Sequence, residues 1–312
     1  METHGIFILG GDGLIANTIT FTNLGGNGDS VNFAPNRHFR LINGFDLSAL
    51  SATVNQSRST KNGATYQSTK LETRDFDIEF FIYRISESIN WYEEKRHELF
   101  KVFNPLKNPI RIDFVTKGGK EYYIDAELVA TPSLPQGWEN DNNTWQKGLL
   151  QFNASDPFIY EKNEIKTDIA LWMPNLEFPL EVFEEGIEIG YRSPSLIVNV
   201  ENKGSDDTGM IIRFIAASQV VNPKLLNVNT YEELKLNFTM LPGDLIEIST
   251  FSGKRTAILT RNNVKTNIFG KIDLSSTFLQ LRVGDNLFRY DVDQGLDYLE
   301  CAILHRNTLI GV

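Results

Sequence analysis

Residues 74–83 read RDFDIEFFIY, and this stretch decides the fold of the first half of the chain. Phe76, Ile78, Phe80 and Ile82 recur at every second position, which is the period of a β-strand. Such a strand turns one face toward a core and the other toward solvent. We therefore predict a half-buried strand here.

A single amphipathic helix is predicted directly after this strand. Asn90 is a suitable N-cap, and Glu93 three residues later completes the pattern of a capping box. A proline at position 105, preceded by Asn104, ends the helix. The apolar residues that fall near one face are Ile89, Tyr92, Leu99 and Phe103.

Three more strands complete the predicted first unit. Residues 110–115 and 121–129 alternate in the same way, and the double glycine between them suits a tight hairpin turn. Residues 145–154 form the last strand, before Asp156-Pro157. The first half is thus predicted to be a small sheet with one packed helix.

On the other side of residue 74, a polar segment covers residues 53–73. Its apolar residues are only Val54, Ala64, Tyr66 and Leu71, and Asn62-Gly63 is a strong signal for a two-residue turn. We predict an extended polar hairpin, hereafter the arm. Because it lacks an apolar set to bury in its own domain, it is either a mobile loop or an element that docks on a neighbouring molecule.

Beyond residue 160 the pattern changes to many short strands separated by turn residues, which is typical of a β-sandwich. We predict a mainly β protein with two domains, residues 1–160 and 161–312. Residues 231–234 are expected to allow a brief helical turn. The predicted strands of the second domain are residues 196–200, 210–216, 234–238, 245–250, 257–260, 278–283, 287–291 and 298–304.

Composition indicates an ordinary globular protein, with 41% hydrophobic and 22% charged residues among 312. A net charge of −10 opposes sequence-independent binding to DNA, which needs an excess of Lys and Arg. Cys301 is the only cysteine and lies in an apolar run, so we interpret it as a core residue. The N-terminus lacks the pattern of a signal peptide, and no apolar run approaches a membrane span, so we expect assembly in a cytoplasm.

The residues that commonly carry chemistry are not grouped. The four histidines, His4, His38, His97 and His305, occur singly, without the spacing of a zinc site. The pairs Glu184-Glu185 and Asp206-Asp207 are adjacent, which on a strand sends their side chains to opposite faces. Asp291, Asp293 and Asp297 lack the pattern of a calcium loop. We predict no catalytic, cofactor-binding or metal site, and no enzyme activity.

Several local signatures together resemble the distal tail proteins of siphophages. In the first half these are residues 73–80, 91–99 with 103–105, and 156–160. In the second half they are residues 241–244, 253–255, 274–281 and 284–290, which are similar to the galectin-like C-terminal domain of that family. Their order along the chain agrees with the family.

The resemblance implies a structural protein of the phage tail tip, or baseplate hub, whose N-terminal domains form a hexameric ring. The implied partners are the tail tube protein, the tape-measure protein, a tail-associated lysin-like protein, and receptor-binding or baseplate proteins. The implied location is the virion tail tip, after assembly in the cytoplasm of a bacterial host.

Two other functions remain open on sequence alone. The sandwich could recognise a host cell-wall glycan, and Trp138 and Trp145, which flank the polar loop 139–144, could form a carbohydrate platform instead of packing in a core. A related contractile or secretion assembly would show the same features. A glycosidase is a distant alternative, because no acid and base pair can be named.

Overall fold

The protein is described here by a computed structural model covering residues 15–43, 46–58, 62–85, 90–169, 172–174, 190–192 and 197–312. It divides into two compact units. The first comprises Met1–Lys162 with Leu309–Val312, and the second comprises Asn163–Thr308. Within the described ranges, no helix is both long enough and apolar enough to span a bilayer.

The described chain is built mainly of short strands. One α-helix, α1, covers Trp91–Val102, and three short 3₁₀ turns cover Pro105–Lys107, Phe269–Lys271 and Leu296–Tyr298. The strands are β1 Ile15–Asn23, β2 Ser30–Phe33, β3 Phe39–Leu41, β4 Ala52–Arg58, β5 Ala64–Leu71, β6 Arg74–Tyr83, β7 Ile110–Thr116, β8 Glu121–Leu128, β9 Trp145–Ala154, β10 Ile159–Glu161, β11 Ile165–Asp168, β12 Trp172–Pro174, β13 Gly190–Arg192, β14 Ile197–Asn202, β15 Ile211–Ala216, β16 Val220–Val221, β17 Lys224–Asn227, β18 Glu233–Lys235, β19 Thr239–Met240, β20 Leu245–Ser249, β21 Thr256–Arg261, β22 Val264–Asn267, β23 Gly284–Asp291, β24 Leu299–His305 and β25 Thr308–Leu309.

The first unit is a strongly curved antiparallel sheet in the order β2-β1-β7-β8-β9-β6-β3. Its two outer strands, β2 and β3, are joined by a short turn in which the N–H of Ala34 donates to the carbonyl of Phe39 (3.0 Å). The two edges of the sheet therefore lie next to each other. The strand β10 extends the sheet by pairing with β8 and with β25.

Residues 74–83 form β6, and the predicted burial is confirmed. β6 pairs with β9 over its whole length, from Arg74 opposite Ala154 to Tyr83 opposite Trp145. Phe80 and Ile82 are fully buried. Gly148 lies opposite Phe80, and a Cβ at this position would overlap the Phe80 ring. The glycine therefore gives the aromatic ring its space in the core.

The predicted helix is confirmed as α1, with two corrections. Asn90 precedes it, but the Asn90 side chain makes no capping hydrogen bond. Trp91, which the sequence did not assign to the core, is buried together with Leu99, while Tyr92 is only partly buried. Trp91 is buried because the first turn of the helix packs its ring into the core of the first unit. Ile89 lies outside the described residues.

The Leu99→Ala substitution should destabilise the first unit by about 2–5 kcal/mol, because Leu99 is fully buried and its removal leaves a cavity. The measurement is the free energy of unfolding by denaturant. Phe100→Ala is the matched control, since Phe100 is the next residue of α1 and is 37% exposed. A Leu99→Ala cost no larger than that of Phe100→Ala would show that the helix packs through another face.

The second unit is a β-sandwich, as predicted. One sheet has six strands in the order β11-β24-β15-β20-β21-β22, and the other has four in the order β14-β23-β17-β18. The two sheets share one core, in which Phe214 and Ile246 come from the larger sheet and Phe288 and Leu225 from the smaller. The mainly β fold, with one packed helix, an extended hairpin and a C-terminal sandwich, is thus established.

Two local predictions in the second unit are wrong. Residues 278–283 do not form a strand; β23 begins instead at Gly284, within the predicted turn. Asn286 accounts for the shift, because its side chain donates to the carbonyls of Arg282 (2.7 Å) and Gly284 (3.0 Å) and so fixes the chain just before the strand. Residues 231–234 do not form a helical turn: Tyr231 has a left-handed φ of 59°, and β18 follows.

The turn at residues 241–244 is held by a buried carboxylate. Asp244 accepts hydrogen bonds from the N–H of Leu241 (2.8 Å) and from Nε and Nη2 of Arg261 (2.7 and 2.5 Å). The Arg261 guanidinium, above all, holds the pKa of Asp244 below its ordinary value of 3.8, although burial opposes this. The ionised form of Asp244 is therefore favoured by folding.

The stabilisation by Asp244 should depend on pH in the direction set by this lowered pKa. Because the folded-state pKa is depressed, the contribution is complete above the ordinary value of 3.8 and is lost as the pH falls below it. The unfolding free energies of the wild type and of Asp244→Asn should therefore differ most near neutral pH and converge in acid. A difference that stays constant down to pH about 2 would contradict this account.

The C-terminal residues return to the first unit. Leu309 and Val312 pack against its core, and β25 pairs with β10. The sequence placed all of residues 161–312 in the second domain, because nothing in the short pattern after β24 distinguishes a strand of one unit from a strand of the other. The boundary at residue 160 stays a prediction about independent folding.

Candidate functional site

The arm is the feature of the structure that most clearly calls for a partner. β4 and β5 form a two-stranded antiparallel sheet that pairs with no other strand among the described residues. Every residue of β4 and β5 is exposed except Ser57, which is partly buried. An isolated two-stranded hairpin is only marginally stable in water. The extended arm is therefore expected to gain its stability from another surface.

The arm has two chemically different faces, and a β-bulge creates them. The register passes from Asn55 opposite Ser68 to Gln56 opposite Tyr66, so Gln67 is the extra residue. This shift places Tyr66 on the same face as Val54, which is 49% exposed, while Tyr66 is 63% exposed. The face with Val54 and Tyr66, hereafter the apolar face, holds Ala52, Ala64 and Leu71 together with Gln56, Arg58 and Thr69, and the opposite face consists of Thr53, Asn55, Ser57, Thr65, Ser68 and Lys70.

A buried arginine holds the root of the arm. Arg74 is only 1% exposed, and its guanidinium donates to three backbone carbonyls. The acceptors are Leu47, which precedes the arm, Pro157 (3.0 Å from Nε) and Ile310 in the C-terminal segment (2.5 Å from Nη2). The Arg74 side chain thus connects the segment before the arm, the start of β6, the loop after β9 and the C-terminal segment.

The charge of Arg74 is uncommon at this depth in a protein. Burial lowers the pKa of Arg74, and the nearby Asp46 carboxylate offsets part of that effect. Because guanidinium remains protonated far above neutral pH, the cost of burying the charge is met by the three carbonyl acceptors. Arg74 is therefore a structural cation that fixes where the arm leaves the sheet.

A cavity of about 620 Å³ lies beside the first turn of α1. Its lining combines two aromatic rings with polar groups: Arg84, Trp91, Tyr92, Asp141, Asn142 and Asn143. Asn142 is occupied in shaping the loop, since its side-chain oxygen accepts from the N–H groups of Thr144 (2.8 Å) and Trp145 (3.0 Å). This cavity belongs to the first unit and not to the sandwich.

The residues flagged in the sequence are not brought together by the fold. Within the described ranges, no group of three or more His, Cys, Asp or Glu side chains is placed to hold a metal ion. Cys301 is buried in the sandwich core, as predicted, and burial raises the pKa of its thiol. Trp145 packs edge-on against Phe81 (4.8 Å between centroids), whereas Trp138 is 87% exposed. Trp145 therefore packs against an aromatic neighbour, whereas the Trp138 side chain is open to solvent. Glu184 and Glu185 lie outside the described residues.

Two features of this region were not found from sequence. The role of Arg74 gave no signal, because its acceptors are 27, 83 and 236 residues away along the chain. The charge of the arm, by contrast, is readable: residues 52–71 contain Arg58, Lys61 and Lys70 and no acidic residue. In a chain of net charge −10, this positive segment is a distinct feature.

Two family models match the chain, and together they cover most of it. The phage tail protein RIFT-related domain matches residues 33–154, which hold the arm, α1 and most of the first sheet. The siphovirus-type tail component C-terminal domain matches residues 203–301, within the sandwich. Comparison with curated protein sequences gives no significant match.

Solved phage structures share the fold at low sequence identity. The crystal structure of phage SPP1 Dit (gp 19.1), described as a paradigm of the hub adsorption apparatus in phages that infect Gram-positive bacteria, has 11% identity and a TM-score of 0.63. It covers 92% of this chain and 98% of its own. The phage P2 baseplate in its activated conformation with Ca gives 12% identity and a TM-score of 0.57, covering 96% and 100%. The same baseplate with Sr gives 13% identity, a TM-score of 0.57, and coverage of 93% and 98%.

Proposed function

Because this chain belongs to the distal tail protein family of siphophages and is a structural component of the phage tail, we propose that it forms a hexameric ring at the baseplate hub. The observation that carries the proposal is the arm, which presents two strands with almost every residue exposed. An element of this kind is suited to contact a neighbouring subunit. We infer a structural role for the chain and no catalytic one.

We propose a head-to-tail contact, in which the arm of each subunit docks on the body of the next subunit and not reciprocally on the same partner. Such a head-to-tail contact, repeated by rotation, either closes into a ring or grows into a filament. The similar structures come from a hub and from baseplates, which agrees with closure.

We further propose that the ring joins the tail tube to the parts below and around it. In this arrangement the first unit forms the ring, and the sandwich contacts receptor-binding or other peripheral baseplate proteins. The tube protein, the tape-measure protein and a tail-associated lysin-like protein are the proposed axial partners. Assembly would occur in the cytoplasm of the bacterial host.

Electron microscopy of the purified chain, with light scattering for its mass, tests the ring. Closed rings with a mass of about six subunits are expected at micromolar concentration. A species that stays monomeric over that range would overturn the proposed assembly.

Glycan recognition by the sandwich remains the alternative function. The aromatic and polar cavity beside α1 lies in the first unit, so it gives this alternative no support. Binding of the full chain to an array of cell-wall glycans would favour this alternative if the binding is lost when residues 163–308 are replaced by an unrelated domain. Ring formation and glycan binding are measured by separate experiments, so the result of one does not decide the other.

A further inference from the structure

We propose that the apolar, basic arm of one copy docks on the acidic outer surface of strands β6, β9 and β8 of a second copy. This inference rests on the proposed ring and deepens it by naming the receiving surface. The occupant is a second copy because the charge of the arm and the charge of that surface are complementary.

The arm needs a surface that accepts both apolar contact and positive charge. Its apolar face presents Val54 and Tyr66 to solvent at 49% and 63% exposure. Arg58 lies on the same face, nearer the tip, because it pairs with Ala64 two positions beyond Gln56. Residues 52–71 carry +3 from Arg58, Lys61 and Lys70, and Glu72 follows directly at the root of the arm. The rest of the chain, whose net charge is −10, carries −13.

Among the described residues, the outer surface of β6, β9 and β8 in the first unit has the matching properties. The row Asp75, Asn153 and Glu127 runs across β6, β9 and β8, because Asn153 is the register partner of both acids. Asp77 and Gln151 form the next row, and Val129 joins it through a backbone hydrogen bond to Gln151 (3.0 Å). We call Asp75, Asp77, Glu127, Val129, Gln151 and Asn153 the acidic patch.

The three carboxylates of the acidic patch have no lysine or arginine partner among the described residues. Asp75 accepts from the side chain of Asn153 (2.7 Å), and Glu127 accepts from the N–H and Oγ of Ser155 (3.1 and 3.0 Å). Other acids on the outer surface of the same sheet are neutralised within the chain, as in Glu79–Lys147 (3.0 Å) and Arg111–Asp125 (2.8 Å). A cationic side chain of another molecule would therefore be attracted more strongly to the acidic patch than to the carboxylates that are already paired within the chain.

The patch also offers apolar area. Val129 is 63% exposed at its edge, although it follows directly on the buried Leu128. Contact between Val129 and the apolar face of the arm would remove both from water, which is favourable in proportion to the area covered. Charge pairing around it would set the register of docking and exclude other surfaces.

The position of the patch allows the contacts to repeat. Asp75 and Asp77 follow the arm by only a few residues in the same strand that β5 leads into. Each subunit therefore presents its acidic patch beside the root of its own arm, while its arm reaches to the next subunit. When this contact is repeated by rotation, the arm of every subunit docks on the acidic patch of the next subunit, as a closed ring requires.

Charge reversal in the full chain tests this pairing. Arg58→Glu, and separately Asp75→Lys with Asp77→Lys, should each raise the protein concentration at half-assembly by at least about tenfold, since like charges then face each other. The combination of all three substitutions should restore assembly to within a few-fold of wild type. Failure of the combination to restore the ring overturns the pairing.

A matched control and a direct contact map complete the test. Glu93→Lys with Glu94→Lys reverses the same number of exposed charges on α1 and should leave the ring intact. A photo-crosslinking amino acid in place of Tyr66 should attach to peptides of a second copy that contain residues 75–77, 127–129 or 151–153. Crosslinks elsewhere, or equal loss of the ring in the α1 control, overturn the inference while leaving the ring itself established. If the wild type forms no ring, the proposed function fails first.

Discussion

Replacement of residues 52–71 by a short Gly-Ser link should give a soluble protein that melts cooperatively and forms no ring. The arm contributes no buried residue to its own subunit, so its removal costs the fold little. Shortening a surface loop changes the closure entropy by only about 0.6 kcal/mol for each twofold change in length. Light scattering and a thermal melt of the same sample measure both halves of the prediction.

The control for arm replacement is an insertion of similar residues into another exposed hairpin. The turn between β7 and β8 at residues 117–120 is suitable, because all four residues are exposed. This variant should melt like the wild type and still assemble. Normal assembly by the arm-less variant would show that the arm is a mobile loop, and the ring interface would then lie on the body of the first unit.

The Arg74→Met substitution should destabilise the first unit by about 3–5 kcal/mol. Methionine fills much of the volume but leaves the carbonyls of Leu47, Pro157 and Ile310 without their donor. Each hydrogen bond from a charged donor contributes roughly 1.5–3 kcal/mol, and water can replace part of the loss. Denaturant unfolding of the full chain measures the effect.

Two comparisons show whether the cost of Arg74→Met arises from this cluster. Arg37→Met removes an exposed arginine of the same unit and should change the unfolding free energy by less than about 0.5 kcal/mol. Deletion of residues 309–312 removes the Ile310 acceptor, so the deletion and Arg74→Met should cost less together than the sum of their separate effects. Additive costs would mean that the C-terminal segment and Arg74 act independently.

Much of the local structure was decided by short-range pattern in the sequence. The alternation in residues 74–83 predicted β6, because a period of two buries one face of any strand in a sheet. The same reasoning found β7, β8 and β9, and the polar segment with Asn62-Gly63 predicted the arm. It failed at residues 278–286, where the side-chain hydrogen bonds of Asn286 and not the apolar pattern set the start of β23, although the strand predicted at residues 287–291 lies within it.

The sequence by itself therefore determined β6 to β9, the helix, the exposed arm, most of the predicted sandwich strands and, through motifs in the family's order, the distal tail protein assignment, but it did not predict β1, β2 and β3. Only the tertiary structure decided the return of Leu309–Val312 to the first unit, the Arg74 cluster, and the meeting of Asp75, Glu127 and Asn153 in one patch. The physical reason is that strand and turn preferences act between near neighbours in the chain. Hydrogen bonds and charge contacts formed on folding join residues that are far apart in the chain, as with Arg74 and Ile310, which are 236 positions apart, and no local pattern predicts them.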